Sequence, residues 1–409
     1  MTRERSGRKA TLGAIFLTIA LDLLGFGLAL PFMAEVARST FHVSSFVGTL
    51  LASSYSAMQF LFVPLWGRLS DRVGRKPVLA WSIAATAIAN LGLGLALAYS
   101  HSVAWLFAAR MFGGIATANI GTASAYIADI TSPKDRAKGM GMIGMAFGVG
   151  FVLGPGFGGV LAQIPVNGRH GPWALFVAAM LSVINFAWVA IGLVESLPKE
   201  KRKPSERKLS PIDLRSTFDV LGDSSIARAV LANFVLILVF SGMEQTMRYF
   251  NADGFGMSLA ETGGMLVIVG LTGAAVQGGI VRRLSGRVQD ASMLRWGLLF
   301  QAIAFAGISA SPNLGKWSLY VSCVILALGN GLTQPSVSAF VSKRAKEGAQ
   351  GTTLGVSQSI SSLARVLGPA LAGYVYGSAL GMRSPFVLGL VGMLLALVVA
   401  FPLHDPAHA

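Results

Sequence analysis

Four ionisable residues stand where the sequence is otherwise apolar: Asp22, Arg110, Glu244 and Arg365. A carboxyl can take up and release a proton, and a guanidinium can hold a carboxylate or an anion. Placing any of them in hydrocarbon costs at least ~2.5–3.5 kcal/mol on the insertion scale, so each needs a reason. Each half of the chain holds one acid and one base. The plain reading is a static ion pair that fixes helix packing. The chemical reading is that Asp22, and with it Glu244, exchanges protons, while Arg110, Arg365 or a cationic substrate stabilises the ionised form. A carboxyl whose surroundings alternate between dry and cation-paired changes its affinity for protons. An entering proton supplies about 2.3 kcal/mol per 100 mV and ~1.4 kcal/mol per pH unit.

Uncharged polar residues accompany them. Tyr55 and Gln59 share one helical face at i, i+4. Asn119, Gln245, Gln277, Gln301, Asn330, Gln334 and Gln358 fall in other apolar blocks. Such amides either line a cavity that binds neutral or cationic organic molecules, or join neighbouring helices.

The elements that must position these residues are apolar blocks, most of them about 20 to 27 residues long, enough to cross a ~30 Å hydrocarbon core as helices. There are twelve, at 11–36, 45–66, 78–99, 103–129, 139–163, 172–195, 227–251, 258–281, 291–310, 317–341, 352–377 and 384–403. Lipid forces helices, because lone strands would leave backbone groups unpaired. The first block is too long for a signal-peptide core and contains Asp22, so it reads as an uncleaved span. Asp22 lies near mid-membrane, and Arg110 enters from the other side to roughly 10 Å, within reach of it.

Composition agrees. Of 409 residues, 53% are hydrophobic and 12% charged, with a mean hydropathy of +0.63. Soluble proteins carry about 25% charge, which excludes a cytosolic enzyme, a secreted disulfide scaffold and a disordered chain. The +15 net charge does not indicate nucleic acid. Of 33 Lys and Arg, 26 fall at the N-terminus and in the 2–3, 4–5, 6–7, 8–9 and 10–11 loops, five on the opposite side and two inside spans. The bias predicts both termini in the cytoplasm of a multi-pass inner-membrane protein. Cys323 is the only cysteine and the five histidines lie outside any metal spacing, so no metal or other cofactor is expected. No Walker lysine motif appears, which argues against ATP as the energy source.

The longest polar stretch, Leu197–Asp223, carries Lys199-Glu200-Lys201-Arg202-Lys203-Pro204 and reads as a domain joint or simply a solvated loop. The expected organisation is a six-helix bundle over 1–197, a cytoplasmic linker over 198–225 and a second six-helix bundle over 226–409. The halves resemble each other. Val152-Leu153-Gly154-Pro155-Gly156-Phe157-Gly158-Gly159 precedes Val366-Leu367-Gly368-Pro369-Ala370-Leu371-Ala372-Gly373 by 214 positions, and the same offset relates Ser124-Ala125-Tyr126-Ile127 to Ser338-Ala339-Phe340-Val341. Duplicated transporter halves show such repeats.

Loop 2–3 reads Gly67-Arg68-Leu69-Ser70-Asp71-Arg72-Val73-Gly74-Arg75-Lys76. The cations alone would serve topology, but the order of glycines and aspartate asks for more. Here the chain resembles the major facilitator superfamily, whose signature this is. Gly150, Gly154, Pro155, Gly158 and Gly159 in span five are similar to the motif of drug:proton antiporters. Arg110 before Gly113-Gly114 is similar to the family's Arg-bearing fourth helix. Leu21-Asp22-Leu23-Leu24-Gly25, followed by Pro31, resembles the first helix of the tetracycline-efflux branch.

The resemblance implies an all-α membrane protein with twelve helices in two pseudo-symmetric bundles that rock about a central cavity. It implies a gating loop in which Asp71 and Arg75 latch one side, with Gly67, Arg72 and Gly74 shaping it and Asp129 available to Arg75. A second-half copy keeps Gly279, Arg282, Gly286 and Arg287, but Arg283 stands where the aspartate would fall, so any clamp there must differ. Tetracycline exporters carry acids in helices three and nine. Here those stretches offer Ala89-Asn90 and Gln301, which argues against a metal–drug chelate. The expected function is proton-coupled efflux of small organic, drug-like compounds by a monomer whose other partners are protons and the bilayer. Proton-coupled uptake is the alternative, and a non-transporting receptor or scaffold the remote one. No nucleophile–base set suggests an enzyme.

Overall fold

The computed structural model describes residues 2–29, 33–131, 136–202, 214–284, 287–345 and 350–404. Pro31, Gly286 and residues 203–213 of the polar stretch, Lys203 and Pro204 among them, lie outside these, as do the side chains of Arg3, Arg5, Arg8 and Lys9. The described residues are helical apart from short turns, a short 3-10 turn at Lys199–Lys201 and one isolated bridge between Val166 and Arg169.

Span one is α1 (Thr2–Ala29) with α2 (Met33–Phe41), and spans two and three are α3 (Ser45–Val73) and α4 (Arg75–Tyr99). Span four is two helices, α5 (Ala104–Ala116) and α6 (Ile120–Ile130), where the sequence reading had one continuous span. Spans five and six are α7 (Arg136–Leu161) and α8 (Pro172–Gly192). After a surface helix, α9 (Leu214–Leu221), comes span seven, α10 (Ser224–Phe255). Span eight is α11 (Leu259–Ala275), a wider π segment (Val276–Val281) and one turn, α12 (Arg282–Leu284). Spans nine to twelve are α13 (Asp290–Leu314), α14 (Lys316–Arg344), α15 (Gln350–Tyr376) and α16 (Ser384–Ala400).

Among the described residues, eight segments are by themselves long and apolar enough to cross a bilayer, and α16 and the Gly148–Leu161 part of α7 are shorter apolar helices. Span four falls short because it is split. In α15 the apolar run is diluted by Ser357, Gln358, Ser359, Ser361, Ser362 and Arg365. Helix ends follow local chemistry. The Asp223 carboxylate accepts the amides of Ser225 and Ile226 at 2.8 and 3.0 Å to start α10, which Gly256 ends at φ 61°. Ser258 and Glu261 form a capping box at α11.

The chain clusters into two compact units, Met1–His42 with Ser54–Pro211, and Val43–Ser53 with Ile212–Ala409. In the first, α1 packs on α7 and α8, and α4 on α8 and α5, around Ile15, Ile19, Leu23, Leu79, Ile83 and Tyr126. In the second, α13 packs on α14 and α16, and α10 on α15 and α16, with the Phe250 and Phe386 rings 4.5 Å apart. The surface is inverted relative to a soluble protein. Ile191 is 87% exposed and Trp81, Ile88, Leu95 and Leu395 are also uncovered, as a lipid-facing surface requires.

Candidate functional site

The first unit gathers Asp22 from α1, Tyr55 and Gln59 from α3, Arg110 from α5 and Asn119 from the start of α6. Arg110 is 6% exposed, and its guanidinium lies over the Tyr55 ring, 4.4 Å from the centroid. That cation–π contact offsets part of the cost of burying the charge. Tyr55 also packs against Phe26 at 5.5 Å. Asp22 is half-buried, and the Asn119 side chain donates to Ser82 Oγ at 2.6 Å. Asp22, Phe26, Tyr55, Asn90, Arg110 and Thr117 line a cavity of about 20 Å³, room for roughly one water. Asp22 Oδ1 and Arg110 Nε are buried without a hydrogen-bond partner among the described residues. Charged groups without full satisfaction are costly, so this cluster is one the fold maintains against a penalty.

The break in span four lies beside this cluster. Gly113, Gly114, Thr117, Asn119 and Gly121 make the stretch a poor helix former, without the proline that would have marked it in the sequence. An unwound turn frees carbonyls that lipid cannot satisfy, and side chains of neighbouring helices take them. Trp66 Nε1 donates to the Ile115 carbonyl at 2.6 Å, Ser82 Oγ to Ala116 at 2.6 Å and Gln59 Nε2 to Thr117 at 3.4 Å. Thr117 Oγ1 donates to the Gly113 carbonyl at 2.9 Å and is 2.5 Å from the Tyr55 hydroxyl. Gly114 lets the helices approach: a Cβ there would stand 2.2 Å from the Tyr55 carbonyl oxygen. Gln59 and Tyr55 therefore brace the break, and Tyr55 also lines the cavity. Trp66 and Ser82 were not among the sequence candidates, because nothing local distinguishes them.

In the second unit Glu244 of α10 and Arg365 of α15 are half-buried and interact electrostatically, without a direct salt bridge among the described residues. Gln245 is 6% exposed. Gln301 is fully buried and donates to Thr333 Oγ1 at 3.1 Å, a bridge between α13 and α14. Asn330 and Gln334 are half-buried, while Gln277, in the π segment, and Gln358 are exposed.

The turn between α3 and α4 is an ionic knot. Arg75 is buried; its guanidinium pairs with Asp71 at 2.5 Å and Asp129 at 3.3 Å and donates to Ser70 Oγ at 2.6 Å. Asp129 also accepts from Ser196 at 3.0 Å. The sequence reading missed Glu195, just beyond α8. It accepts the amides of Arg75 at 2.8 Å, Lys76 at 3.3 Å and Leu197 at 3.0 Å, and lies 3.7 Å from Arg202. This carboxylate caps the start of α4, a position its sequence context does not disclose. Gly74 is required twice over, by its φ of 113° and because a Cβ would meet Glu195 Oε2 at 2.2 Å. Gly67 has no such constraint and Arg72 is exposed.

The span-five glycines seat α7 on α1 directly behind Asp22. A Cβ on Gly150 would stand 2.8 Å from Leu23, on Gly154 2.6 Å from Gly27, and on Gly158 2.3 Å from the Leu28 carbonyl oxygen. Pro155 and Gly159 are buried, and α7 continues through the proline. The second unit repeats the arrangement: a Cβ on Gly368 of α15 would meet Ser241 Oγ of α10 at 2.2 Å. Gly154 and Gly368, and Gly27 and Ser241, are each 214 positions apart. The close packing obeys the repeat. The intramembrane charges do not, since Asp22 corresponds to Leu236 and Arg110 to Val324.

The Major Facilitator Superfamily model matches residues 15–369. The class C tetracycline resistance protein of Escherichia coli is 30% identical over 367 residues, covering 88% of this chain and 88% of that protein. Major facilitator superfamily domain-containing protein 10 of Homo sapiens is 31% identical over 412 residues, covering 88% and 86%. The crystal structure of the human organic anion transporter MFSD10 (TETRAN) superposes with a TM-score of 0.73 at 28% identity, over 96% of this chain and 99% of that one. A bacterial homolog of the lysosomal transporter Spinster, inward-facing and unoccupied, gives 0.76 at 18% identity over 96% of each, a likeness of fold.

Proposed function

This chain belongs to the major facilitator superfamily and is a multi-pass membrane transporter, not an enzyme, and from that premise we propose that it exports small organic compounds in exchange for protons. The observation that carries the reading is the cluster of Asp22, Arg110 and Tyr55 around a small cavity, with α7 seated behind it through the span-five glycines. Asp22 is the proton-carrying group. A substrate that reaches Asp22 when the site opens competes with the proton for it, which gives exchange. Glu244 and Arg365 form the second-half counterpart. The likeness to tetracycline resistance proteins supports efflux, while Asn90 and Gln301, in place of the acids of that branch, favour compounds other than a metal chelate.

Transport proceeds by alternating access of two six-helix halves, 1–197 and 226–409, joined by the cytoplasmic segment 198–225. The Asp71–Arg75–Asp129 knot latches the cytoplasmic side of the first half. The positive charge of the even-numbered loops supports an inner-membrane protein with both termini in the cytoplasm, working as a monomer. One observation favours a second reading, proton-coupled uptake of an anion: the buried Arg110 Nε without a hydrogen-bond partner among the described residues suits an anionic group, and the human relative MFSD10 is an organic anion transporter.

The test is a compound screen in cells lacking other efflux pumps, repeated with Asp22→Asn and with a protonophore. Resistance that falls in both arms is expected. Equal resistance in all three arms rejects proton-coupled export, and accumulation in place of resistance selects the uptake reading.

A further inference from the structure

We propose that a cleft between α4 and α5 is an apolar subsite of the Asp22–Arg110 cavity, holding the body of an amphipathic cation whose charged end is the group that meets Asp22. This rests on the reading of Asp22 as the group for which substrate and proton compete, and it names the class of substrate.

The cleft is made by two facing stripes. Gly92, Ala96 and Tyr99 recur at i, i+4 and i+7 on α4, and Trp105, Ala108 and Phe112 at i, i+3 and i+7 on α5. Elsewhere in this unit small residues let helices close on one another: a Cβ on Gly113 of α5 would stand 3.5 Å from the Ala89 Cβ of α4. A Cβ on Gly92 would meet nothing within 4 Å. The helices leave between them a hollow of about 680 Å³, a size that suits a drug-like molecule. Its walls are apolar. Its rim carries Ser100 and His101 beside Tyr99 and Trp105, which are 58% and 65% exposed, the aromatic types that favour a membrane–water interface.

The floor of the cleft is what ties it to the site. Ala89 and Ala109 line the cleft and also the small cavity of Asp22 and Arg110. The two hollows therefore meet at a partition of small side chains, and behind it Asp22 Oδ1 is buried without a hydrogen-bond partner among the described residues. Ala89 precedes Tyr99 by 10 positions, roughly 15 Å along the helix at 1.5 Å per residue.

Polarity decides the occupant. A phospholipid tail also fills an apolar groove, but it brings its charge to the rim and its methyl end to the floor. A carboxylate behind the floor asks for the reverse, a cation inward and hydrocarbon outward, because a buried charge is stabilised only by a partner. Arg110, the other charge on the cavity, lies over the Tyr55 ring and forms no salt bridge with Asp22 among the described residues.

The test reads which way round a probe lies. Full-length protein in phosphatidylcholine nanodiscs is photolabelled with dodecylamine bearing a diazirine at its methyl end, and the labelled residues are located by mass spectrometry. Dodecanoic acid with the same diazirine is the control. An amine held at Asp22 places the diazirine at the rim, so label is expected on Tyr99 and Trp105, severalfold above Ala109 and Phe112. The acid is expected to label in the opposite order. Asp22→Asn is expected to abolish the amine's preference for the rim. Gly92→Trp, which fills the cleft from a position with open space, is expected to remove label from both ends and serves should Asp22→Asn not fold. Amine label concentrated on Ala109 and Phe112 overturns the subsite, as does rim label that persists in Asp22→Asn or Gly92→Trp, or that the acid matches. The resistance screen does not involve the cleft, so equal resistance with Asp22→Asn rejects proton exchange by itself, and the labelling rejects the subsite by itself.

Discussion

Lys343 Nζ lies 2.6 Å from Asp290 Oδ2, tying the end of α14 to the start of α13, just as Arg75 ties the start of α4 to Asp129 near the end of α6. The acid and the base have exchanged ends. Lys343 follows Asp129 by 214 positions, and Asp290 follows Lys76, the neighbour of Arg75, by the same offset. The second half therefore keeps the cross-link with its polarity reversed. Asp290 is buried while Lys343 is half exposed, so removing the lysine leaves a covered carboxylate behind. Lys343→Met is expected to cost about 1–3 kcal/mol, between the surface and buried limits, with Asp290→Asn restoring most of it. Thermal unfolding of the purified variants, completed as a double-mutant cycle, measures this. A Lys343→Met transition temperature equal to the parent's contradicts it.

Two glycines of α7 are expected to behave oppositely. Gly158→Ala pushes a Cβ into the Leu28 carbonyl oxygen and is expected to destabilise by about 1–3 kcal/mol, as overpacking does. Gly148→Ala, where a Cβ meets nothing within 4 Å, is expected to be neutral or to gain up to about 1 kcal/mol from helix propensity. Unfolding temperatures of the two side by side decide the matter, and similar losses from both would refute the packing argument.

Glu195→Gln keeps the shape of the cap but not its charge. It is expected to lower stability by about 1–2 kcal/mol, the range for a charge-assisted hydrogen bond weakened to a neutral one. Hydrogen exchange at the amides of Arg75 and Lys76 should speed up with it. Unchanged protection at those two amides would show that Glu195 is not their cap.

Tyr55 plays two parts that substitution separates. Tyr55→Phe retains the ring beneath Arg110 and loses the hydroxyl that bonds Thr117; Tyr55→Leu loses both. The expectation is a modest fall in maximal transport rate for Phe and a loss of tenfold or more for Leu, the equivalent of about 1.4 kcal/mol. Initial-rate transport in proteoliposomes checks the order, and a Leu variant as active as the Phe variant removes the cation–π contact from the account.

The sequence exposed whatever depends on long apolar runs and on charges out of place. Twelve spans and the Arg75–Asp129 ion pair follow from hydropathy and a loop motif, and depth points to the one cavity that Asp22 and Arg110 both line, without a salt bridge between them among the described residues. Three things were hidden, each for a physical reason. The break in span four has no proline; its poor helix formers are held unwound by Trp66, Ser82 and Gln59, which take the Ile115, Ala116 and Thr117 carbonyls in turn, and that is a tertiary fact. Glu195 lies about 120 positions from the amides it caps, too far for any local pattern. The second-half ion pair differs in a way the loop motif does not disclose: Arg283 stands where the aspartate would fall, and the acid sits at the start of α13. Gln301 shows where residue type alone does not decide: an amide in a span either lines a cavity or joins helices, and this one is spent on Thr333.

The split fourth span also constrains how the protein is made. At 13 and 11 residues, α5 and α6 measure roughly 20 Å and 17 Å at 1.5 Å per residue, so neither crosses the ~30 Å hydrocarbon layer alone. The interrupted segment must enter the bilayer as one piece. All three side chains that receive its loose carbonyls precede it in the chain, on α3 and α4. Synthesis from the N-terminus therefore delivers the donors before the acceptors arrive, and the kink has partners waiting as it emerges.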